Sequence, residues 1–416
     1  MARERIVVGI DVGTHYVYTV VGVANPDTPL PQIIGMGRSR AYGIRRGMII
    51  DMEDATASIR KSVKEAEQAA GVSISSAFVS IGGNHIISMP SRGVVAVSRA
   101  DQQISEDDVV RVITAAKTVA LPPNREILHA IPMEYIIDGE SGHREVVGMS
   151  GLRLEANALI VGGSSGHLRN LTRAIADAGV TPEGFVLSAL AASHAVLSKR
   201  QKELGVLCLD IGGGTTDMAV FEEGNLVYTN VIPLGGDSLT SDLAIGLRTT
   251  IETAERVKRE YGMAIAAEAQ RRDVIELAKF DSKERDSVLR RDVADIMEAR
   301  LSEILELVNK DLRRIGKEAL LPGGVVLVGG TAKVPHLVEL TKSKLRLPAQ
   351  VGFPRDVEGI VGSVDDPSFA AALGLVFWGL EQQSGGSFSA RISMPRMGDF
   401  SGSVSKMQKW ARAFLP

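Results

Sequence analysis

The chain has almost no cysteine, no long unbroken apolar run and little net charge, and each shortage closes off a class of protein. Its 416 residues include one cysteine, Cys208. No intramolecular disulfide can form, and the composition suits a reducing cytosol. Cys208 sits in an apolar run and reads as a small core residue. The longest nearly apolar stretch, FAAALGLVFWGL at 369–380, falls short of the roughly 18 residues of a membrane span and is broken by glycines. The start MARERIVVG passes straight into an apolar strand without a small-residue cleavage site, so no signal peptide is expected. Net charge is −3 with 23% charged residues, which argues against the whole chain binding nucleic acid. The length predicts two or three domains, or one large split domain.

What the chain does have is one turn used twice. IVVGIDVGTHYVYTVV at 6–21 and GVLCLDIGGGTTDMAVF at 205–221 both run an apolar strand into Asp, then Gly and Thr, then a second apolar strand. Glycine lets backbone N–H groups approach a polyphosphate closely and form an anion-binding nest. Threonine hydroxyls add donors. A carboxylate beside phosphates repels them unless a divalent cation intervenes, so Asp11 and Asp210 point to Mg2+ held through water. The lysine of a Walker loop is missing from both turns. A lone Asp-x-Gly-Thr is usually only a hairpin turn. Two of them imply two similar halves facing one cleft.

Between these turns the pattern predicts a helix from Met52 to Ala70, with Asp51 as N-cap, Gly71 as stop, and Ala55, Ile59, Val63, Ala66 and Ala70 on one face. SAFVSIGG (76–83) reads as a strand ending in glycines. Residues 84–162 read as a compact β-α-β-β insert whose helix runs from Glu106 to Ala120, capped by Ser105 and stopped by the prolines at 122–123. A further helix is expected near 166–179. A long charged helical region is expected from Ser238 to Lys317, then a strand at 325–330 and helices near 334–345 and 366–383. Residues 384–403, rich in Gly and Ser, read as a linker.

In combination these landmarks resemble the actin, Hsp70 and sugar-kinase superfamily. GIDVGTHY and LDIGGGTTD resemble its two phosphate loops, AERVKREYG (254–262) its adenosine-contacting helix and VVLVGGTAKVP (325–335) its adenosine loop. LSALAASHAVL and PSFAAALGLV resemble its two hinge helices. The resemblance implies an α/β chain with a duplicated actin-like, ribonuclease H-like fold: two lobes around a nucleotide cleft and a small inserted α+β subdomain. It implies ATP and Mg2+ as cofactors. Asp11, Gly13, Thr14 and His15 would line one side of the cleft, and Asp210, Gly212, Gly213, Gly214, Thr215 and Thr216 the other. Gly235 and Gly236 would lie near the nucleotide, Glu255, Lys258 and Arg259 at ribose or adenine, and Gly329, Gly330, Thr331 and Lys333 behind it. The spacing of Glu255, Lys258 and Arg259 puts them on one helical face, which an ordinary solvated helix also shows.

Within the superfamily, GIRRGMIID, REILHAIPMEYIID, GMSGLRLEANALIV and IMEARLSEILELV resemble the bacterial cell-division actins of the FtsA family. That resemblance implies protofilaments of the chain with itself, a link from the tubulin-like FtsZ ring to the inner membrane, and recruitment of later division proteins through residues 84–162. The expected division is 1–83 with 163–202 and 363–383 (subdomain 1A), 84–162 (1C), 203–245 with 318–362 (2A) and 246–317 (2B). The FtsZ C-terminal peptide would meet residues 296–314, where Ile296, Leu301, Ile304, Leu305 and Val308 suit an inner face. Glu298, Arg300, Leu301, Glu303 and Ile304 are the candidate contacts. Two departures stand out. Ser188 occupies the hinge-helix position where many relatives carry a water-orienting acid or amide, and serine is a poor base at neutral pH, so turnover is expected to be slow or negligible. His15–Tyr16 stands where many relatives have a basic residue.

The last thirteen residues regain helical periodicity. At about 100° per residue, Val404, Met407, Trp410, Ala411, Phe414 and Leu415 fill an arc of about 140°, opposite Lys406, Lys409 and Arg412. No acid follows Val404, so this tail is positive within a chain of net charge −3. A basic helix with Trp and Phe on its apolar face suits an anionic membrane surface; docking on its own domain is the plainer alternative. The expected setting is peripheral, on the cytoplasmic face of the inner membrane at the septum. Two other readings stay open: an FtsA-like pilus assembly protein, and a sugar kinase, for which no catalytic Asp is evident. An Hsp70-type chaperone would need a peptide-binding domain that the remaining length does not hold.

Overall fold

The computed structural model describes residues 5–383 apart from 25–29, 120, 271, 283, 285, 356 and 360–365. The expected linker and amphipathic tail, including Val404, Lys406, Met407, Lys409, Trp410, Arg412, Phe414 and Leu415, lie outside the described residues. Three sheets organise the chain. The first has six strands in the order Thr181–Leu187, Ser76–Ile81, Arg5–Val12, Tyr16–Ala24, Gln32–Arg40, Glu358–Gly359. Its central strands are apolar on both faces because helices cover both. Met52–Ala70 lies on one face, where a methyl group on Gly37 would stand 1.9 Å from Ser62 O. Ala370–Gln383 lies on the other, where Gly9 meets Ala372 O. The Met52–Ala70 helix starts and stops as its sequence predicts: Asp51 accepts from Asp54 N–H, and Gly71, at φ 68°, donates to Glu67 O.

The second large sheet repeats the opening of the first. Its five strands run Asn225–Ile232, Thr216–Glu222, Val206–Ile211, Val325–Val328, Ala349–Val351. Asp11 pairs with Tyr18 in one hairpin, and Asp210 pairs with Asp217 in the other, each seven positions on. Cys208 is wholly buried in this sheet, and burial raises its thiol well above the usual range.

Two helices rich in small residues join the lobes. Ser188–Val196 and Ala370–Gln383 cross so closely that a methyl group on Gly374 would stand 1.7 Å from Ala191 O. Trp378 of the second helix is buried edge-on to His194 and to His129. One hydrophobic core runs through this junction, from Ile10 and Val79 to Val206, Cys208 and Val326.

The insert has its own antiparallel sheet, in the order Ile87–Ala96, Arg153–Ser164, Arg125–Ile137, Glu140–His143. It also has its own core around Val112, Ile113, Leu154 and Ile160. Its helix spans Glu106–Ala116 with the Ser105 capping box, four residues shorter than expected. The chain turns after Lys117 because Val119 and Leu121 must fold back onto that core.

The long charged helical region expected at 238–317 holds, among its described residues, three α-helices, Gly236–Leu247, Ile251–Tyr261 and Arg290–Arg314. Arg248, in the left-handed region at φ 56°, ends the first, and Thr250 caps the second. Residues 262–289 are mostly non-helical because Met263, Ala266 and Ala269 pack as a small cluster on Ala294. A short ribbon, Val274–Glu276 with Ser287–Leu289, completes that segment.

Candidate nucleotide cleft

The two turns are geometrically matched. Gly13 N–H donates to Tyr16 O at 3.1 Å, and Gly212 N–H donates to Thr215 O at 2.9 Å, so both close over three residues from the same starting point after their Asp. They also touch. A methyl group on Gly213 would stand 3.0 Å from the His15 ring, and one on Gly214 would stand 2.7 Å from Thr14 Oγ1. At Gly214, which meets the Arg46 backbone as well, no larger side chain fits, and at Gly213 one would have to displace the His15 ring.

Three carboxylates gather behind the turns. Asp11 accepts from Ser80 Oγ at 2.6 Å; burial pushes it up to about 6, with the serine bond pulling back. Asp210 is raised well above the usual carboxylate range by burial first, then by Asp217 and Asp11. Burial also pushes Asp217 up to about 7, against the Thr215 hydroxyl that donates to it at 2.7 Å. Mutual repulsion of this kind is what a bound cation relieves. Among the described residues no three acidic, imidazole or thiol groups converge to grip a metal directly. The donor set therefore fits a divalent cation held through water, with Asp11 and Asp210 as its anchors. Such a cation would supply charge neutralisation between carboxylates and phosphate.

The floor of the second turn is built from the helix that follows it. Gly236 N–H donates to Gly212 O at 2.9 Å, and Asp237 N–H to Gly213 O at 2.8 Å. Gly235 packs against the same two carbonyls. Lys258 Nζ lies 2.5 Å from Glu255 Oε2 and donates to Gly236 O at 3.1 Å and Thr240 Oγ1 at 2.8 Å. Thr240 Oγ1 in turn donates to Glu255 Oε2 at 2.6 Å. Glu255 and Lys258 thus reach the turn, whereas Arg259, on the same helix, is exposed. Gly329, at φ 85°, leaves room for Asp210: a methyl group there would stand 2.3 Å from Asp210 Oδ1. Thr331 Oγ1 donates to Gly212 O at 3.2 Å. Gly330 opens the short helical turn Gly330–Lys333, and Lys333 pairs with Asp366 at 2.6 Å.

Several expectations change. Thr216 is wholly buried and donates to Leu234 O at 2.9 Å, so its hydroxyl ties its strand to the loop after Ile232 and is not offered to a phosphate. Leu301 and Ile304 are fully buried and cannot present their side chains to a partner. Arg300 is held by Asp242 through bonds of 2.6 and 2.9 Å and also pairs with Glu303. Glu298 accepts from Ala266 N–H at 2.7 Å. The charged candidates on the Arg290–Arg314 helix are therefore mostly paired within the chain.

The sequence reading missed Ser80 and Asp217. A methyl group on Gly82 would stand 3.1 Å from both Asp217 Oδ1 and Ser188 Oγ, so these two flank one point of the cleft. Asp217 was visible as the last residue of GGGTTD; nothing local marks Ser80.

Family models for "Cell division protein FtsA" and "SHS2 domain inserted in FTSA" match residues 207–374 and 83–162. The chain is 38% identical to the cell division protein FtsA of Pseudomonas aeruginosa, over 92% of this chain and 91% of that one. It is 38% identical to the Bacillus subtilis FtsA, over 90% and 84%, and 30% identical to the Escherichia coli FtsA, over 98% of both. Among solved structures it is similar to the PilM–PilN type IV pilus biogenesis complex, with a TM-score of 0.64, 18% identity and coverage of 90% of this chain and 98% of that one. It is also similar to MreB5 of Spiroplasma citri bound to AMPPNP, with a TM-score of 0.54, 16% identity and coverage of 92% and 98%. At these identities the structural likenesses show the fold, which is actin-like α/β with an inserted subdomain.

Proposed function

Because the chain belongs to the FtsA family of cell-division proteins, we propose that it is an ATP-binding, actin-like scaffold that ties the FtsZ ring to the inner membrane. The observation that carries this reading is the pair of matched glycine turns closing on Asp11, Asp210 and Asp217. That arrangement suits Mg-ATP held between two lobes. Ser188, not a carboxylate, stands at the head of the hinge helix, which supports slow or negligible hydrolysis. The nucleotide's role is then to set the relation between lobes in a filament subunit.

The partners follow from the family and from chemistry. The FtsZ C-terminal peptide would meet the helical region around Arg290–Arg314, and later division proteins the insert at 84–162. The basic amphipathic tail would hold the protein on the cytoplasmic face of an anionic inner membrane; among the described residues no helix is long and apolar enough to cross one. One short helix binds weakly, since each buried large side chain contributes about 1.5–3 kcal/mol before ordering costs. Many tails on one polymer bind tightly through avidity, which gives a reason to couple polymerisation to anchoring.

Cosedimentation tests the reading. FtsZ filaments should pellet with vesicles containing anionic lipid only when the full chain and ATP are present. A chain ending at Gly402 should leave the vesicles behind. Vesicle capture that is unaffected by this truncation would refute the anchor, and a lack of FtsZ capture would refute the scaffold.

A further inference from the structure

After Gln32–Arg40 the chain makes a tight ribbon that none of the site residues above accounts for. Ile44 pairs with Ile49 and Arg45 with Met48. The two tip residues, Arg46 and Gly47, have φ of 49° and 72°. Two successive left-handed residues mark a type I′ hairpin turn, which Asn-Gly or Gly-Gly fills at little cost. A long side chain at the first of these positions is disfavoured, and strain of this kind persists where neighbours hold it in place.

The neighbours are the two phosphate turns. A methyl group on Gly214 would stand 2.9 Å from Arg46 Cα and 3.0 Å from Arg46 N. Gly47 N–H donates to Thr14 Oγ1 at 3.4 Å. Gly47 also packs on Gly82, the residue that backs Asp217 and Ser188. The ribbon tip therefore touches both turns where they meet. Beneath it a cavity of about 20 Å³ is lined by Gly47, Met48, Ser80, Gly82 and His85, so the ribbon is not packed solidly from below.

The lack of a partner separates Arg46 from three other basic side chains around the cleft. Lys258 is held by Glu255 and Thr240, Lys333 by Asp366, and His15 by Asp237. Arg46 is exposed. Among the described residues no hydrogen bond or ion pair engages its guanidinium, yet it is near enough to help keep Asp237 ionised. A planar guanidinium is suited to grip phosphate oxygens with two parallel hydrogen bonds.

We propose that Arg46 reads the terminal phosphate: its guanidinium pairs with the γ-phosphate of a bound nucleoside triphosphate and draws the 44–49 ribbon down over the two turns. A diphosphate leaves Arg46 unengaged. The inference rests on the nucleotide reading above and adds to it the residue that tells triphosphate from diphosphate.

Titration calorimetry of the full-length chain with Mg2+ and either AMPPNP or ADP tests it. Arg46→Gly removes the charge while suiting the left-handed backbone, so its melting midpoint should match or exceed that of the unchanged chain. It should weaken AMPPNP binding about tenfold, the scale of a lost charged hydrogen-bond pair, and change ADP binding by less than about twofold. Arg46→Lys, which keeps charge but not the fork, should fall between. Equal losses for both nucleotides, or none for either, would overturn the role of Arg46 while leaving nucleotide binding intact. Absence of binding by the unchanged chain would overturn the nucleotide reading and this inference with it.

Discussion

His15 Nε2, in the first turn, meets Asp237 Oδ1, at the start of the helix behind the second turn. Burial alone would raise the Asp237 carboxyl, but His15, Lys258 and Arg46 outweigh it and hold it below the usual range. The pair fastens the two turns to each other across the cleft. Both side chains are 42% exposed, so the contact is worth at most about 1 kcal/mol. His15→Ala should therefore speed the release of a fluorescent adenine nucleotide by only about two- to fivefold. Stopped-flow chase experiments measure this, and an unchanged rate would show that the pair does not fasten the cleft.

The crossing of Gly374 over Ala191 leaves no room for even a methyl group. Gly374→Ala must force the two hinge helices apart, and overpacking of this kind costs about 1–3 kcal/mol. At Gly166, in the first turn of Ser165–Asp177, a methyl group would meet only Ser164 Oγ, at an ordinary 3.8 Å. Gly166→Ala should be neutral or slightly stabilising. Denaturant melts of the two variants side by side provide the check, and equal stabilities would contradict the packing.

Two buried histidines set an acid limit. Burial lowers both His85 and His129 to about 4, and for His85 the neighbouring His167 and Arg125 add to the effect. The folded-state values lie below the unfolded ones. The stability these two groups contribute is therefore complete above about pH 6.5 and is lost as pH drops toward 4, where the unfolded chain binds protons that the folded histidines refuse. His129 Nε2 accepts from Leu187 N–H at 3.4 Å, a bond that protonation removes. The raised Asp11 and Asp217 carboxyls gain stability over the same range, so the histidine effect is read by difference: between pH 7 and pH 5 the thermal midpoint of His129→Asn should fall less, or rise more, than that of the unchanged chain. A variant as acid-sensitive as the unchanged chain would rule out His129 as a source.

Arg300→Glu is a poor probe of partner binding, because it would set a carboxylate against Asp242 and Glu303. Ile245, three residues after Asp242 and 77% exposed, is a cleaner one. Ile245→Ser should weaken binding of an FtsZ C-terminal peptide about five- to tenfold, the scale of a lost apolar contact, with no change in melting. Fluorescence anisotropy reads the affinity, and unchanged binding would place the peptide elsewhere.

The features legible in the sequence were those set by local rules. Asp-Gly-Thr between apolar strands announced each hairpin, and Asp51 and Gly71 announced the ends of one helix. The insert showed as a change of pattern and matched a separate sheet with its own core. What escaped depends on distant partners. Ser80 matters because it donates to Asp11, 69 residues away. The break after Tyr261 depends on Ala294 receiving Met263, Ala266 and Ala269. Leu301 and Ile304 already fall on the inner face by their spacing, and their burial takes them off the partner surface.

The helix Ala370–Gln383 is the last described element before the remaining thirty-odd residues, and Gly9, Gly22 and Ala191 press directly on its backbone and side chains. Any tension applied beyond Gln383 enters the protein at this rod, whose far end lies beside Tyr18 and Phe369, next to the strand that carries Asp11. Were the chain held beyond Gln383, the junction between the lobes would also be the point of mechanical attachment. A pull on the chain's end is borne by the same contacts that set the spacing of the two turns.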